Sequence, residues 1–491
     1  MNKLLLFFSL LLIYSSGFSQ NSSGNCFYID YETWNAGTQP PVFFDCGNDT
    51  KFEVGAELTM EAWIRVYNAG WNQKILGKAN MPFNNGYVLA IEVGKNYSEI
   101  FNPVQNELKG GAVPVDSAWV HFCTTFKAGE KMATYVNGVK TAELTPTNNP
   151  IGVNTNASFI IGHAPWADHS YQYFGHIDEV RIWNVAHTEE EINSLMFKSL
   201  KGDEAGLVAS YNFNETDGTV LHDNSVNELN GSLNETADYY SWKSSTAPVG
   251  DETMYEMYDI DGIWFGKNDS QYNYLISDKG LNLLGKLSKK DFDYAILGHN
   301  NENGISTDDL ANLPANSQRV ARTWYCNASS NVRADMVFQL TNASGTGEAL
   351  NSVNDASLYT LLFRTNPEDD FTPLYGGNIK SGEAIIFNNV KLQNGYYSMA
   401  LSDEVVVNPN GINEAFIDQI SIYPNPAKSI INIGIEEKSE IIIYDLSGKI
   451  VYQRIHNEIN NQVNTSNLKP SYYVVKVITK NKQYLSKLII N

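Results

Sequence analysis

The chain has 491 residues, 43% hydrophobic and 12% aromatic, so roughly three packed domains are expected and extended disorder is excluded. Asp and Glu number 55 against 34 Lys and Arg, a formal charge of −21. That balance argues against nucleic acid and anionic membrane surfaces, which need clustered cations, and is compatible with neutral glycans and bound Ca²⁺.

Residues 1–19 read as a signal peptide. Lys3 supplies the positive start, Leu4 to Ile13 an apolar run too short to span a bilayer, and Gly17 and Ser19 the small residues before cleavage at Gln20. No other stretch approaches the length of a membrane span, so no transmembrane segment is expected in the mature chain. Four cysteines follow: Cys26, Cys46, Cys123 and Cys326. In an exported chain they can pair in three ways. Cys26 and Cys46 lie on neighbouring strand-like runs (Phe27 to Tyr31, Val42 to Asp45), and that is the pairing expected. Cys123 falls inside a strand-like run and reads as a small buried hydrophobe.

The next 160 or so residues carry four phrases that read as strands. They are Thr59-Met60-Glu61-Ala62-Trp63-Ile64, Trp119-Val120-His121-Phe122, Tyr135-Val136-Asn137-Gly138-Val139 and His176-Ile177-Asp178-Glu179-Val180-Arg181-Ile182-Trp183-Asn184. The Asn-Gly step inside the third predicts a two-residue hairpin turn. A helix is predicted over Thr188 to Leu200, with Thr188 and Glu191 as a capping box and Ile192, Leu195, Met196 and Leu200 as its buried stripe. Closing strands are expected at Leu207 to Phe213 and around Leu221. Order and spacing of these phrases resemble the laminin-G-like, concanavalin A-type jelly roll shared by many lectins and some polysaccharide-cleaving enzymes. The resemblance covers residues 27–248 and implies a domain over 20–249.

Residues 250–405 form a second unit of short alternating runs: Tyr272 to Ile276, Tyr294 to Gly298, Met336 to Leu340, Leu358 to Arg364, Ala384 to Val390 and Tyr396 to Leu401. Gly-, Asn- and Asp-rich turns separate them, which predicts another antiparallel sandwich. The phrases Asp293 to Asn300 and Arg319 to Trp324 resemble a module found beside lectin-like domains in surface proteins of Bacteroidota. A linker is expected at 406–416. The segment Ile420-Ser421-Ile422-Tyr423-Pro424-Asn425-Pro426-Ala427, with strand-like Ile430 to Ile433, Ile441 to Asp445 and Tyr472 to Ile478, resembles the sorting domain of the type IX secretion system over 417–491. That resemblance implies a small Ig-like sandwich, the secretion machinery as a partner, and a surface or extracellular destination. The fold class is therefore all-β throughout.

Sandwich glycoside hydrolases of the laminarinase type carry E-x-D-x-x-E, whose alternation aims two carboxylates into one cleft. Here His176 and Arg181 stand where the two glutamates would be, so that mechanism is not expected. No nucleophile elbow, HExxH or Walker loop is present. His163, His169, His176 and His187 read as surface residues. His169 with Tyr171 or Tyr173 leaves a lyase as the alternative, although that loop is poor in the Arg such chemistry needs. Sugar binding asks for an aromatic platform with amide and carboxylate partners. Two loop-like segments, Tyr67 to Lys74 and Ala164 to Tyr173, have that composition. Trp71 and Trp166 are the candidate platforms and Asn72, Asp168 and Tyr171 the polar partners, unless the rings fold back over the sandwich edge. Trp63, Trp119 and Trp183 are expected in the core. The family resemblance also implies a structural Ca²⁺ held by Asp45, Gly47 and Asn48 with Asp178, the alternative being a turn or edge role for Asp178. Function is thus expected to be glycan binding or adhesion at the cell surface, with hydrolase or lyase activity and a structural, protein-binding role as alternatives.

Overall fold

The computed structural model describes residues 24–33, 39–68, 70, 72–80, 85–102, 104–115, 118–154, 156–164, 166, 171–234, 239–266, 274–277, 279–285, 292–329, 332–374, 378–406, 420, 422–435, 438–445, 449–456, 461–479 and 483–490. The signal segment, most of the linker, Trp71, Asp168 and His169 lie outside them.

The first sandwich pairs two eight-stranded antiparallel sheets. In the first sheet the order is Val139–Leu144, Lys131–Val136, Val120–Lys127, Glu57–Val66, Gly175–Trp183, Asn25–Ile29 and Tyr240–Ser244, with Leu207–Tyr211 also on Gly175–Trp183. The second runs Val220–Leu221, Gly231–Leu233, Phe44–Asp45, Ile160–Ile161, Gln73–Ala79, Gly86–Glu92, Lys95–Phe101 and Gln105–Ala112. Alternation drives this assembly. Met60, Ala62 and Ile64 face Leu89, Ile91 and Ile100 in one core, while Glu61 and Trp63 point the other way. The hairpin turn forms at Asn137 and Gly138, both left-handed with φ of 52° and 75°.

The predicted helix is shorter than its apolar periodicity suggests, spanning Glu189–Leu195. Its capping box is in place, Glu191 N donating to Thr188 Oγ1 at 3.2 Å and Thr188 N to Glu191 Oε2 at 2.7 Å. Side chains from the sheet take the carbonyls at and just past its end: Arg181 donates to Leu195 O and Lys198 O, and Trp63 Nε1 donates to Met196 O at 2.8 Å. Those orphan acceptors are satisfied without another helical turn, so the helix stops.

The second sandwich has an eight-stranded sheet, in which Tyr258–Trp264, Tyr294–His299, Trp324–Ala328, Gly395–Leu401, Gln318–Val320 and Ile305–Ser306 run in order. Tyr359–Arg364 and Thr372–Leu374 extend it at Gly395–Leu401, and a five-stranded sheet covers one face. Its other face turns Ile260, Trp264, Tyr294, Ile296, Tyr325 and Tyr396 onto the first sandwich, where they join Cys26, Trp63, Trp119, Met196 and Phe197 in a continuous apolar seam. Trp264 stands edge-on to Trp63 at 5.8 Å, and its Nε1 donates to Trp119 O at 3.1 Å. Trp63, Trp119 and Trp183 are each 1% exposed, as expected of core residues, yet Trp63 and Trp119 lie in this seam and not between the sheets. The C-terminal unit packs a three-stranded against a four-stranded sheet around Ile431, Ile441, Val475 and Leu488.

Candidate functional site

The outward face of the first sheet is filled with buried charge under the short helix. Glu61 accepts from Trp183 Nε1 at 2.9 Å and meets His121 Nε2 at 3.1 Å. Arg181 joins Glu179 at 2.7 Å as well as the two carbonyls named above. Burial pushes the Glu61 carboxyl up, but the hydrogen bond and charge of His121, followed by Arg181 and His187, outweigh it and hold it at about 2. Asp178 is pushed well up, by burial first and the Glu179 carboxylate second. Helix, seam and second sandwich cover this network, so the face is structural.

Several sequence expectations are corrected here. Asp178 Oδ2 accepts from Ser245 Oγ and its Oδ1 from Glu179 N at 2.8 Å, while Asp45 is exposed on the second sheet and accepts from Gly47 N at 2.8 Å. Asp45 and Asp178 belong to different sheets and face away from the shared core, so Asp45, Gly47 and Asn48 cannot share an ion with Asp178. The expected Cys26–Cys46 bridge is absent and all four thiols are free. Cys26 packs into the seam and Cys46 into the core between the sheets. His163 is buried, not superficial: its Nδ1 meets Ala164 O and its ring stacks on Phe43. His176 is enclosed between Tyr28, Trp119 and Arg65, and burial holds its pKa well below the usual value.

The outer face of the second sheet is built differently. Cross-strand register lines up Lys74, Ala90, Tyr97 and Lys109 in one row, Val88, Glu99 and Glu107 in the next, and Gly86, Phe101 and Gln105 in a third. Val88, Ala90, Tyr97 and Phe101 form an apolar floor, and half-buried Trp166 packs on it. Lys74 Nζ lies 5.0 Å from the Tyr97 ring centre, 5.7 Å from Trp166 and 5.5 Å from Tyr171. The same ammonium pairs with Glu99 Oε2 at 2.8 Å. Gln105 Nε2 then bridges Glu99 Oε1 at 3.0 Å and Glu107 Oε1 at 2.6 Å. Lys109 lies 5.4 Å from the Tyr97 ring and pairs with Glu92 at 2.9 Å. Burial, then Glu99 and Glu107, push the Tyr97 hydroxyl up, so it remains a donor at neutral pH.

Tyr171 holds this arrangement in a backbone state that bulky residues avoid. Its φ is +72°, which costs about 1–2 kcal/mol for a residue bearing Cβ. In return its carbonyl accepts from Lys74 N at 3.0 Å and its ring comes to 6.2 Å from Trp166.

Of the expected binding residues, Trp166 and Tyr171 thus come together. Asn72 stands two residues before Lys74, half-buried, its Oδ1 enclosed with no hydrogen-bond partner among the described residues. Trp71 and Asp168 fall outside the described residues. Lys74, Tyr97, Glu99, Gln105 and Glu107 escaped sequence reasoning. The alternation of Lys95-Asn96-Tyr97-Ser98-Glu99-Ile100-Phe101 carried a usable signal, since it sends Tyr97, Glu99 and Phe101 to one side.

Comparison with known proteins agrees with this architecture. Residues 44–193 match the family model described as the concanavalin A-like lectin/glucanases superfamily, and residues 421–491 match the secretion system C-terminal sorting domain. The chain therefore carries a concanavalin A-like domain and, at its end, a sorting domain that marks it for export to the cell surface or beyond. No curated protein matches it. Among solved structures it is similar to a Bacteroides ovatus ATCC 8483 protein assigned provisionally to carbohydrate binding, at 19% identity and a TM-score of 0.36. That match covers 46% of this chain and 61% of the other, so the chain spans less than two thirds of that relative. The SAP-like pentraxin of Limulus polyphemus is similar at 12% identity over 36% of this chain and 82% of its own, with a TM-score of 0.28. The CBM40 of the Ruminococcus gnavus IT-sialidase, bound to α2,3 sialyllactose, is similar at 14% identity over 32% and 93%, with a TM-score of 0.29. Among the described residues no helix is long and apolar enough to cross a membrane.

Proposed function

We propose that this is an exported carbohydrate-binding protein whose sugar site is the outer face of the second sheet. One observation carries the reading. The first sheet's outer face is closed by the seam, while the second combines half-buried Trp166 and Tyr171 with a rim of exposed Gln105, Glu107 and Lys109. A sugar ring has apolar C–H faces edged by hydroxyls, and such a surface offers each part its partner. Single sites of this shallow kind bind weakly, and many copies at a cell surface supply avidity.

Passage of the full chain over neutral plant and algal polysaccharides tests the reading. Retention should weaken by about tenfold or more in Trp166→Ala, equivalent to about 1.4 kcal/mol. Undiminished retention in a folded Trp166→Ala protein would move the site elsewhere. A second reading rests on Glu99 and Glu107, which stand opposite each other on adjacent strands. A carboxylate pair of this kind suits glycoside hydrolysis. Reducing ends released by the wild type and abolished in Glu107→Gln would establish that reading, and retention without product would end it.

A further inference from the structure

The face just described also carries information about which glycans it accepts, an inference that rests on the carbohydrate-binding reading. On this face Lys74, Lys95 and Lys109 stand against Glu92, Glu99 and Glu107, three charges of each sign with no net charge among them. The most enclosed cation is already committed: Lys74 is 2% exposed, its charge met by Glu99 and its surroundings by three rings. Lys109 is likewise paired, with Glu92. The sequence sharpens the point. No arginine occurs between Arg65 and Arg181, an interval that contains the four strands carrying the site residues, Gln73–Ala79, Gly86–Glu92, Lys95–Phe101 and Gln105–Ala112, and the whole segment carrying Trp166 and Tyr171. Sugar carboxylates and sulfates are bound best by the planar, two-pronged guanidinium, and here none is supplied. The chain's overall charge of −21 opposes an anionic polymer further.

We infer that the site selects uncharged glycans. The rings take the apolar face of the sugar, Glu107 and the Gln105 carbonyl oxygen accept from its hydroxyls, and Lys109 donates to them. Both ion pairs stay closed when ligand binds. Because no counterions are displaced, binding depends little on ionic strength.

The test uses the full chain against matched polymers, galactan beside polygalacturonate and an asialo glycoprotein beside its sialylated form, at low and high NaCl. Expected are retention by the uncharged member, at least about tenfold weaker retention by the acidic one, and less than about twofold change with salt. Gln105→Ala, an exposed substitution, should weaken the neutral interaction together with Trp166→Ala. Tighter binding of the acidic polymer, released by salt and lost in Lys109→Ala, would overturn the inference and leave the carbohydrate reading intact. Retention of neither member, or neutral binding unmoved by both Gln105→Ala and Trp166→Ala, would overturn the two together.

Discussion

Glu61 shows how a single buried carboxylate ties the first sheet to what covers it. It is 1% exposed and reaches Trp183, His121 and, at 3.9 Å, Arg181. Breaking a buried pair by removing one partner leaves the other charge uncompensated, which is why such sites tolerate substitution poorly. Its folded pKa of about 2 lies below the ordinary 4.5, so its contribution is present above about pH 4.5 and lost as pH falls toward 2. Glu61→Gln should therefore unfold more easily by about 3 kcal/mol at neutral pH, with the gap to wild type closing across that acid range. Urea unfolding of both proteins at several pH values measures it, and a gap that stays constant would mean the carboxylate's charge is irrelevant. Trp166 is the corresponding residue on the other face: its value lies in what it leaves available, since it is half-buried on the Val88 and Ala90 floor.

At the level of elements, capping decides the short helix. With seven residues it cannot persist on its own, and Thr188 and Glu191 satisfy its first donors. Thr188→Ala should cost about 1 kcal/mol, read as a lowered midpoint of chemical unfolding, whereas Glu190→Ala on the same first turn should do far less. Its start was legible in the sequence and its end was not, because the groups that stop it, Trp63 and Arg181, arrive from distant strands. The same distinction runs through the sandwich. Phrases such as Thr59 to Ile64 announced themselves by regular alternation, and so did the Asn137–Gly138 turn. Gln105–Ala112 did not: a register shift near its pairing with Lys95–Tyr97, its run of polar residues and its paired glycines hide the period of two. Gly110 is needed there, since a Cβ would lie 2.2 Å from Asn96 Oδ1 and 2.4 Å from Thr141 Oγ1. Gln105 and Glu107 escaped notice for this reason. Trp166 and Tyr171 were visible as aromatics in a loop, but the strand residues beneath them acquire meaning only through register.

The whole molecule is governed by the seam. Trp63, Trp119, Phe197, Trp264 and Tyr325 are buried in the seam where the two sandwiches meet, and a contiguous apolar patch of large aromatics is rarely left exposed on a stable monomer. A chain ending near residue 249 should consequently aggregate or bind hydrophobic dyes, while residues 24–406 should unfold in one calorimetric transition. Two separate transitions would show the sandwiches to be independent. The tryptophans behind this coupling looked like ordinary core residues in the sequence, because alternation reveals which side a residue takes but not what lies there. The cysteines carry a last consequence. Cys26 is in the seam, Cys46 in the first core, Cys123 under the helix and Cys326 in the second core. Burial pushes each thiol up, Cys46 to about 12, and only a thiolate reacts readily. The chain is thus sent into an oxidising milieu with four reduced sulfurs shielded by packing alone. Each is a built-in clock, keeping time for a different part of the protein by the rate at which an alkylating reagent finds it.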